Sequence, residues 1–233
     1  VLGVHTDGGL QEALILPAHK LHPSTGLSFD QLALVETLAI GCHAVQRVRP
    51  TPDDDVLVVG AGPIGLAVMQ FVRLTGASLT VLDLNAQRLD FCRNTLGIRD
   101  IIHHPGSADA AAKIFESRQN RGYSIVFDAT GSPISMNQAP QYVAHSGSLI
   151  FVGIHKDSVS FPDPLFHSRE MTLFASRNAL PADFRQIIRQ MQAGLIDTTP
   201  WITHRCNWLD IPANFETLTR PESQVVKAMI ELD

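Results

Sequence analysis

Apolar residues at Leu32, Val35, Leu38, Ala39, Cys42 and Val45 recur every three or four positions, which predicts a helix over residues 29 to about 47 with one stripe facing a core. Ser28, three positions before Gln31, has the capping-box spacing that begins such a helix. Pro50 and Pro52, with Asp53-Asp54-Asp55, break it and mark a domain boundary. Upstream, Leu10 and Ala13-Leu14-Ile15-Leu16 suggest a strand closed by Pro17, then a loop carrying His19, His22 and Pro23. Downstream the pattern changes. Val56-Leu57-Val58-Val59 is an unbroken run of β-branched and aliphatic residues that gives way to Gly60-Ala61-Gly62-Pro63-Ile64-Gly65 and then turns apolar again. It reads as strand, tight turn, helix.

From there strands and helices alternate. Strands are expected at 78–82, 100–102, 124–127, 148–152 and 171–174, with helices at 86–94 and 108–117 and another opened by Ser132-Pro133. Proline at the first helical position is favourable because that N–H has no partner inside the helix. Six strands with helical crossovers make an α/β fold, a doubly wound parallel Rossmann sheet buried on both faces. Beyond it, a helix over 183–193, Thr203-His204, a helix over 211–218 and an apolar segment at 225–230 are too few to form a domain. The expected organisation is therefore residues 1–45 as part of a second domain, 46–177 as the nucleotide-binding domain, and 178–233 as a segment that returns to pack with the first.

The three glycines fit the dinucleotide fingerprint G-x-G-x-x-G. Gly60 permits the tight turn, Gly62 lets a pyrophosphate approach the backbone, and Gly65 lets helix and strand pack closely. The helix that follows aims free N–H groups and the positive end of its dipole at the phosphates. An acidic residue about twenty positions on completes the pattern, and Leu79-Thr80-Val81-Leu82-Asp83 supplies it. Asp83 would accept from the adenosine ribose hydroxyls and repel a 2′-phosphate, which favours NAD over NADP. Ligands of such sheets sit beyond the carboxyl ends of the strands, so Asp128-Ala129-Thr130-Gly131 and Gly153-Ile154-His155, each just after a strand, are candidates, and backbone groups around Val152 to Ile154 could fix the nicotinamide amide; turning the chain is an equally good role for Gly131 and Gly153. His19 and His22 have no third ligand near them in sequence and read as loop residues. His43 lies on the same predicted helix face as Glu36 and reads as a hydrogen-bonded core histidine.

The 233 residues carry 18 basic and 23 acidic side chains, a formal charge of −5 that implies neither nucleic acid nor an anionic membrane as partner. No apolar run is long enough to cross a bilayer, and Val1-Leu2-Gly3-Val4-His5 shows neither the charged region nor the apolar segment expected of a signal peptide. Cys42, Cys92 and Cys206 are scattered and odd in number, which fits a reducing compartment, and a cytoplasmic location is expected.

Asp7-Gly8-Gly9-Leu10-Gln11-Glu12, Val35-Glu36-Thr37-Leu38-Ala39-Ile40-Gly41-Cys42-His43-Ala44, the glycine run with Asp83 and Arg88, and Ile202-Thr203-His204 resemble the zinc-dependent medium-chain alcohol and polyol dehydrogenases. The similarity runs through essentially the whole chain and is nearest to the branch of sorbitol and sugar-acid (L-galactonate or L-gulonate type) dehydrogenases. It implies oxidation of a secondary alcohol by hydride transfer to NAD, with zinc as Lewis acid, and assembly as a homo-dimer or homo-tetramer. It also implies a barrel-like catalytic domain with a zinc-binding cysteine and a Gly-His-Glu motif. Neither is found here, so most zinc ligands are expected to be absent from this sequence.

The resemblance assigns Glu36 to bind the zinc or its water, supported by its place in the N-terminal half of an apolar helix face; a buried, capped or solvent-facing glutamate is the plain alternative. It puts Gly60, Gly62, Pro63, Ile64 and Gly65 at the pyrophosphate, Asp83 at ribose, Arg88 near adenine, and Thr130, Gly131, Val152, Gly153 and Ile154 at the cofactor. Arg88 reads equally well as a solvated helix charge. Ser176-Arg177-Asn178 would reach cofactor and substrate, Arg177 forking a polyol hydroxyl or a carboxylate, or else forming an interface salt bridge. Asn178 stands where the sorbitol enzyme has tyrosine, which favours a sugar acid. The rival expectation is a non-catalytic NAD(H)-binding regulatory protein or fragment; a zinc-free reductase is a third.

Overall fold

The structure, a computed structural model, describes residues 2–104 and 110–232. Its first predicted strand does not form. Residues 10–16 are exposed, Ile15 fully so at 99%, and among the described residues no strand lies beside them to pair their backbone groups. The predicted first helix is two, α1 (Phe29–Ala33) and α2 (Val35–Val48), hinged at Leu34. The capping box is present: Gln31 N donates to Ser28 Oγ at 3.2 Å and Ser28 N to Gln31 Oε1 at 2.9 Å.

The alternation then follows: β1 (Asp55–Val59), α3 (Pro63–Thr75), β2 (Ser78–Asp83), α4 (Ala86–Leu96), β3 (Asp100–His103), α5 (Ala110–Ser117), β4 (Tyr123–Asp128), α6 (Pro133–Gln138), β5 (Val143–Phe151), α7 (Asp163–Ser168) and β6 (Thr172–Ala175). The first two residues of the predicted 108–117 helix lie outside the described residues. All pairings in this sheet are parallel and the order is β3-β2-β1-β4-β5-β6, so strand order reverses between β1 and β4. Side chains alternate across a strand, and β1 shows the result: Val56 and Val58 join one core, Leu57 and Val59 the other. Burial on both faces is why the strand reads as a continuous apolar run.

The tail forms α8 (Pro181–Gln192), β7 (Ile202–Asn207), α9 (Ile211–Thr219) and β8 (Lys227–Glu231), with β7 and β8 as a separate parallel pair. It returns to the first helices. Ile187, Ile188 and Met191 of α8 share a core with Leu38 and Cys42 of α2, and Arg205 on β7 binds both Asp30 on α1 and Glu231 on β8.

A second polar link of this kind is buried. Asp183 is fully buried, and its Oδ2 accepts from Leu180 N at 2.7 Å and from His43 Nδ1 at 3.1 Å, while Oδ1 has no partner. His43, half-buried at the edge of the core, is thus hydrogen-bonded to it. Asp183→Ala should leave the His43 ring and the Leu180 N–H without their acceptor and lower unfolding free energy by about 2–3 kcal/mol, read from the urea midpoint. A loss below about 0.5 kcal/mol would mean that the pair is incidental to stability.

Candidate functional site

At the carboxyl end of β1 the chain must turn at once into α3. Gly60, at φ +98, makes the turn, and its N–H donates to Leu82 O at 2.8 Å, tying the loop to β2. Gly62 caps α3 in an extended conformation and Pro63 takes the first helical position. A Cβ on Gly65 would lie 1.8 Å from Gly60 O, so no other residue fits where the helix crosses the loop. A Cβ on Gly62 would meet nothing nearer than Arg88 Nη1 at 3.8 Å, so the backbone there is open on one side with a guanidinium beside it.

Asp83 ends β2, 8% exposed, and both its oxygens are engaged. Ala61 N donates to Oδ2 at 2.5 Å and Asn85 N to Oδ1 at 2.7 Å. The carboxylate therefore holds the glycine turn in shape. It lines a cavity of about 630 Å³ that also takes in Gly60, Gly62, Ile64, Arg88 and Thr130, where strand order reverses. A cavity of about 450 Å³ shares Gly62, Pro63 and Arg88 and is walled on its far side by Thr203, Arg220 and Val226 of the tail. These residues fit a dinucleotide: an open backbone at a helix N-terminus for the pyrophosphate, a cation beside it, and a carboxylate at the neighbouring strand end.

The exit loops of β4, β5 and β6 are brought together. Val152 N and Gly153 N donate to Asp128 O at 2.9 and 3.1 Å, and Ser176 N donates to Phe151 O at 2.9 Å. A Cβ on Gly153 would lie 2.4 Å from Gly131 N, and one on Gly131 would lie 3.1 Å from Ile154 O. The two glycines thus serve first to let these loops touch each other. Ile154 stays 87% exposed at the rim, and Arg177 and Asn178 are exposed, Asn178 at φ 56.

Other parts of this site go beyond what the sequence shows, which marks Asp128 only as a residue at a strand end. Asp128 is fully buried and accepts from Thr130 N (2.9 Å), Thr130 Oγ1 (2.7 Å) and Ser135 Oγ (2.5 Å), binding the loop to α6. Burial pushes its carboxyl above the ordinary value, against the pull of those bonds, and burial with the nearby Asp128 charge pushes the Tyr142 phenol up to about 12. Asn85 caps α4, accepting from Gln87 N and Arg88 N at 2.9 and 3.2 Å, and so fixes the start of the helix that carries Arg88. Its signal, an asparagine just before a helix, was present. Leu84, His104, Ile134 and Gln138 line the cavity with no signal that strand and helix patterns register.

Glu36 departs from expectation. It is exposed at the first turn of α2 between buried Val35 and Thr37, because a residue 100° round the helix from the buried stripe faces out. The half-buried Lys227 lies near enough to feel its charge: burial lowers the Lys227 ammonium and Glu36 opposes that shift. Among the described residues no group of three His, Cys, Asp or Glu could hold a metal ion. Glu36 alone does not make a zinc centre, which takes four ligands, or three and a water.

A parallel sheet in this order with the glycine turn at its reversal point defines a Rossmann-like α/β protein. The chain belongs to the zinc-binding dehydrogenase family, whose profile, described as "Zinc-binding dehydrogenase", matches residues 63–193. It is 35% identical over 99% of its length to L-galactonate-5-dehydrogenase of Escherichia coli (strain K12), of which it spans 67%. To L-idonate 5-dehydrogenase of Vitis vinifera it is 30% identical over 97% of its length, spanning 63% of that protein. A crystal structure from E. coli CFT073, described as a short chain alcohol dehydrogenase complexed with NADH, superposes with a TM-score of 0.88 over 98% of this chain and 67% of that one, at 24% identity, and shares the fold. The chain spans about two thirds of the length of these relatives. No helix among the described residues is long and apolar enough to cross a membrane.

Proposed function

We propose that this chain is the cofactor-binding part of an NAD-dependent, zinc-type dehydrogenase that moves a hydride between a secondary alcohol of a polyol or sugar acid and nicotinamide. The observation that carries it is Asp83, buried at the end of β2, bonded to the glycine turn and lining the cavity that opens over Gly62. Its remaining lone pairs would accept the adenosine ribose hydroxyls, and its charge disfavours a 2′-phosphate. Gly60, Gly62, Pro63, Ile64 and Gly65 would cradle the pyrophosphate. Arg88 would lie over adenine and near the phosphates. Thr130, Gly131, Val152, Gly153 and Ile154 would fix the nicotinamide amide. Bound NAD supplies the hydride acceptor. Ser176, Arg177 and Asn178 follow β6 at the same edge, and the Arg177 fork would orient a substrate hydroxyl or carboxylate.

The names of the relatives, L-galactonate-5-dehydrogenase and L-idonate 5-dehydrogenase among them, support the sugar-acid class. For zinc, Glu36 would contribute one ligand or a bond to its water, and no step is assigned to the metal because the described residues lack the others. Residues 1–45 and 178–233 would belong with the catalytic unit and 46–177 would form the cofactor unit. The free edge of β6 suits pairing into a homo-dimer or homo-tetramer. Three free, buried cysteines suit the reducing cytoplasm.

The test is a panel of sugar acids and polyols with NAD, followed by NADH absorbance, alongside a fluorescence titration with NADH. Binding and turnover are both expected where the full zinc ligand set is supplied. Failure to bind NADH would sink the whole reading. The second reading, a non-catalytic NAD(H)-binding protein, is motivated by the lack, among the described residues, of three groups that could hold a metal. It predicts binding without turnover, and robust alcohol oxidation by this polypeptide alone would rule it out.

A further inference from the structure

The cavity between the loop of residues 19–25 and α8 has no place in the nucleotide site. It measures about 450 Å³, and His19, His22, Ser24, Arg185 and Arg189 line it with no Asp or Glu on its wall. Arg185 and Arg189 stand one turn apart on the same face of α8. Among the described residues neither guanidinium has an ion-pair or hydrogen-bond partner, although acidic side chains outnumber basic ones in this chain.

The wall is also held in place. The His22 ring stacks on Phe184, with centroids 5.0 Å apart and planes 13° from parallel. Gln192 Nε2 donates to Thr25 O at 2.8 Å, fastening the loop to the helix. The Ser24 hydroxyl is buried with no hydrogen-bond partner, a state that a ligand oxygen would relieve. A metal cation is a poor occupant, since among the described residues the two histidines have no third ligand and two guanidinium groups would repel it.

We propose that this cavity binds a small oxyanion, the group shared by phosphate monoesters and sugar-acid carboxylates. The guanidinium forks of Arg185 and Arg189 would take its oxygens bidentately, with the Ser24 hydroxyl and the ring N–H groups of His19 and His22 completing the shell. The proposal rests on this cavity alone and is independent of the nucleotide reading.

The test is calorimetric titration of the whole polypeptide with inorganic phosphate, glycerol 3-phosphate and D-gluconate, at ionic strength held constant with sodium chloride. Saturable one-to-one binding is expected, with a dissociation constant on the order of 1 mM. The double variant Arg185→Gln/Arg189→Gln should weaken it roughly tenfold or more. Both arginines are exposed, so the variant should fold, and its NADH titration should match the parent's. Tighter binding of the phosphate ester or of gluconate would each support the site and identify its source of oxyanion. Heats no larger than those of added sodium chloride, or undiminished binding in the double variant, would overturn it.

Discussion

Gly65→Ala should cost this protein its nucleotide loop. The new methyl carbon would lie 1.8 Å from Gly60 O and 2.9 Å from Gly60 C, and both are backbone atoms, so no rotamer change relieves the overlap. Either the first turn of α3 lifts from β1 or the Gly60 carbonyl swings away. The second route strains the turn at φ +98 and its 2.8 Å bond to Leu82 O; the first spoils the convergence of N–H groups at Gly62. Overpacking of this sort costs about 1–3 kcal/mol, which for a chain of this size lowers Tm by roughly 2–12 °C. NADH affinity should fall by more than about tenfold, because a pyrophosphate cradle shifted by an ångström loses its hydrogen-bond geometry. Gly97→Ala is the control. Gly97 sits at φ +66 with open space around its Cβ position, so alanine there meets only the left-handed backbone penalty of about 1–2 kcal/mol and lies outside the cleft. Calorimetric melting and NADH fluorescence titration of both variants decide the matter. If Gly65→Ala binds NADH as well as Gly97→Ala does, the close crossing has been misjudged.

Much of this geometry was legible before any coordinates, for a physical reason. A parallel strand buried on both faces is written as an unbroken apolar run, so Val56 to Val59 read as β1 directly; β2 is legible although the buried Thr80 interrupts its run. The limits of legibility lie where burial is uneven. The first half of β5 carries exposed His145 and Ser146, so only the stretch from Ser148 read as strand, whereas the element begins at Val143. α7 spans six residues with none buried and left no periodic trace. Residues 10–16 carry the reverse lesson: an apolar run promises a strand only when a partner strand is present, and none is beside it among the described residues. Nothing at Leu34 marks the break between α1 and α2, since neither proline nor glycine stands there. At the site, Asp83 was legible from its spacing to the glycines, but its grip on Ala61 N and Asn85 N was not, because sequence distance does not tell which backbone groups a side chain meets. The same holds for Asp128, visible as a residue at a strand end and invisible as the acceptor joining Thr130 to Ser135.

That double engagement shapes what Asp83→Ala should do. The carboxylate accepts from Ala61 N and Asn85 N now, and under the cofactor reading would also accept from the ribose hydroxyls. Alanine removes both functions. Two poorly exposed N–H groups lose their acceptor, at about 1–3 kcal/mol for a buried group left unmade, so stability should drop by roughly 2–4 kcal/mol. NADH binding should weaken by at least about tenfold through the lost ribose bonds, each worth roughly 1.5–3 kcal/mol when the acceptor is charged. NADPH has no such bonds to lose and escapes a repulsion, so its affinity should fall less, and a preference for NADH of about tenfold or more should shrink towards parity. Asp83→Asn separates the two roles. It keeps one oxygen as acceptor for the loop but removes the charge, so it should retain more stability than alanine while still eroding the cofactor preference. Paired titrations of the parent and both variants with NADH and NADPH, with urea unfolding of each, test this. A cofactor ratio unchanged in both variants, beside a clear loss of stability in Asp83→Ala, would leave Asp83 as a brace for the glycine turn and remove it from cofactor choice.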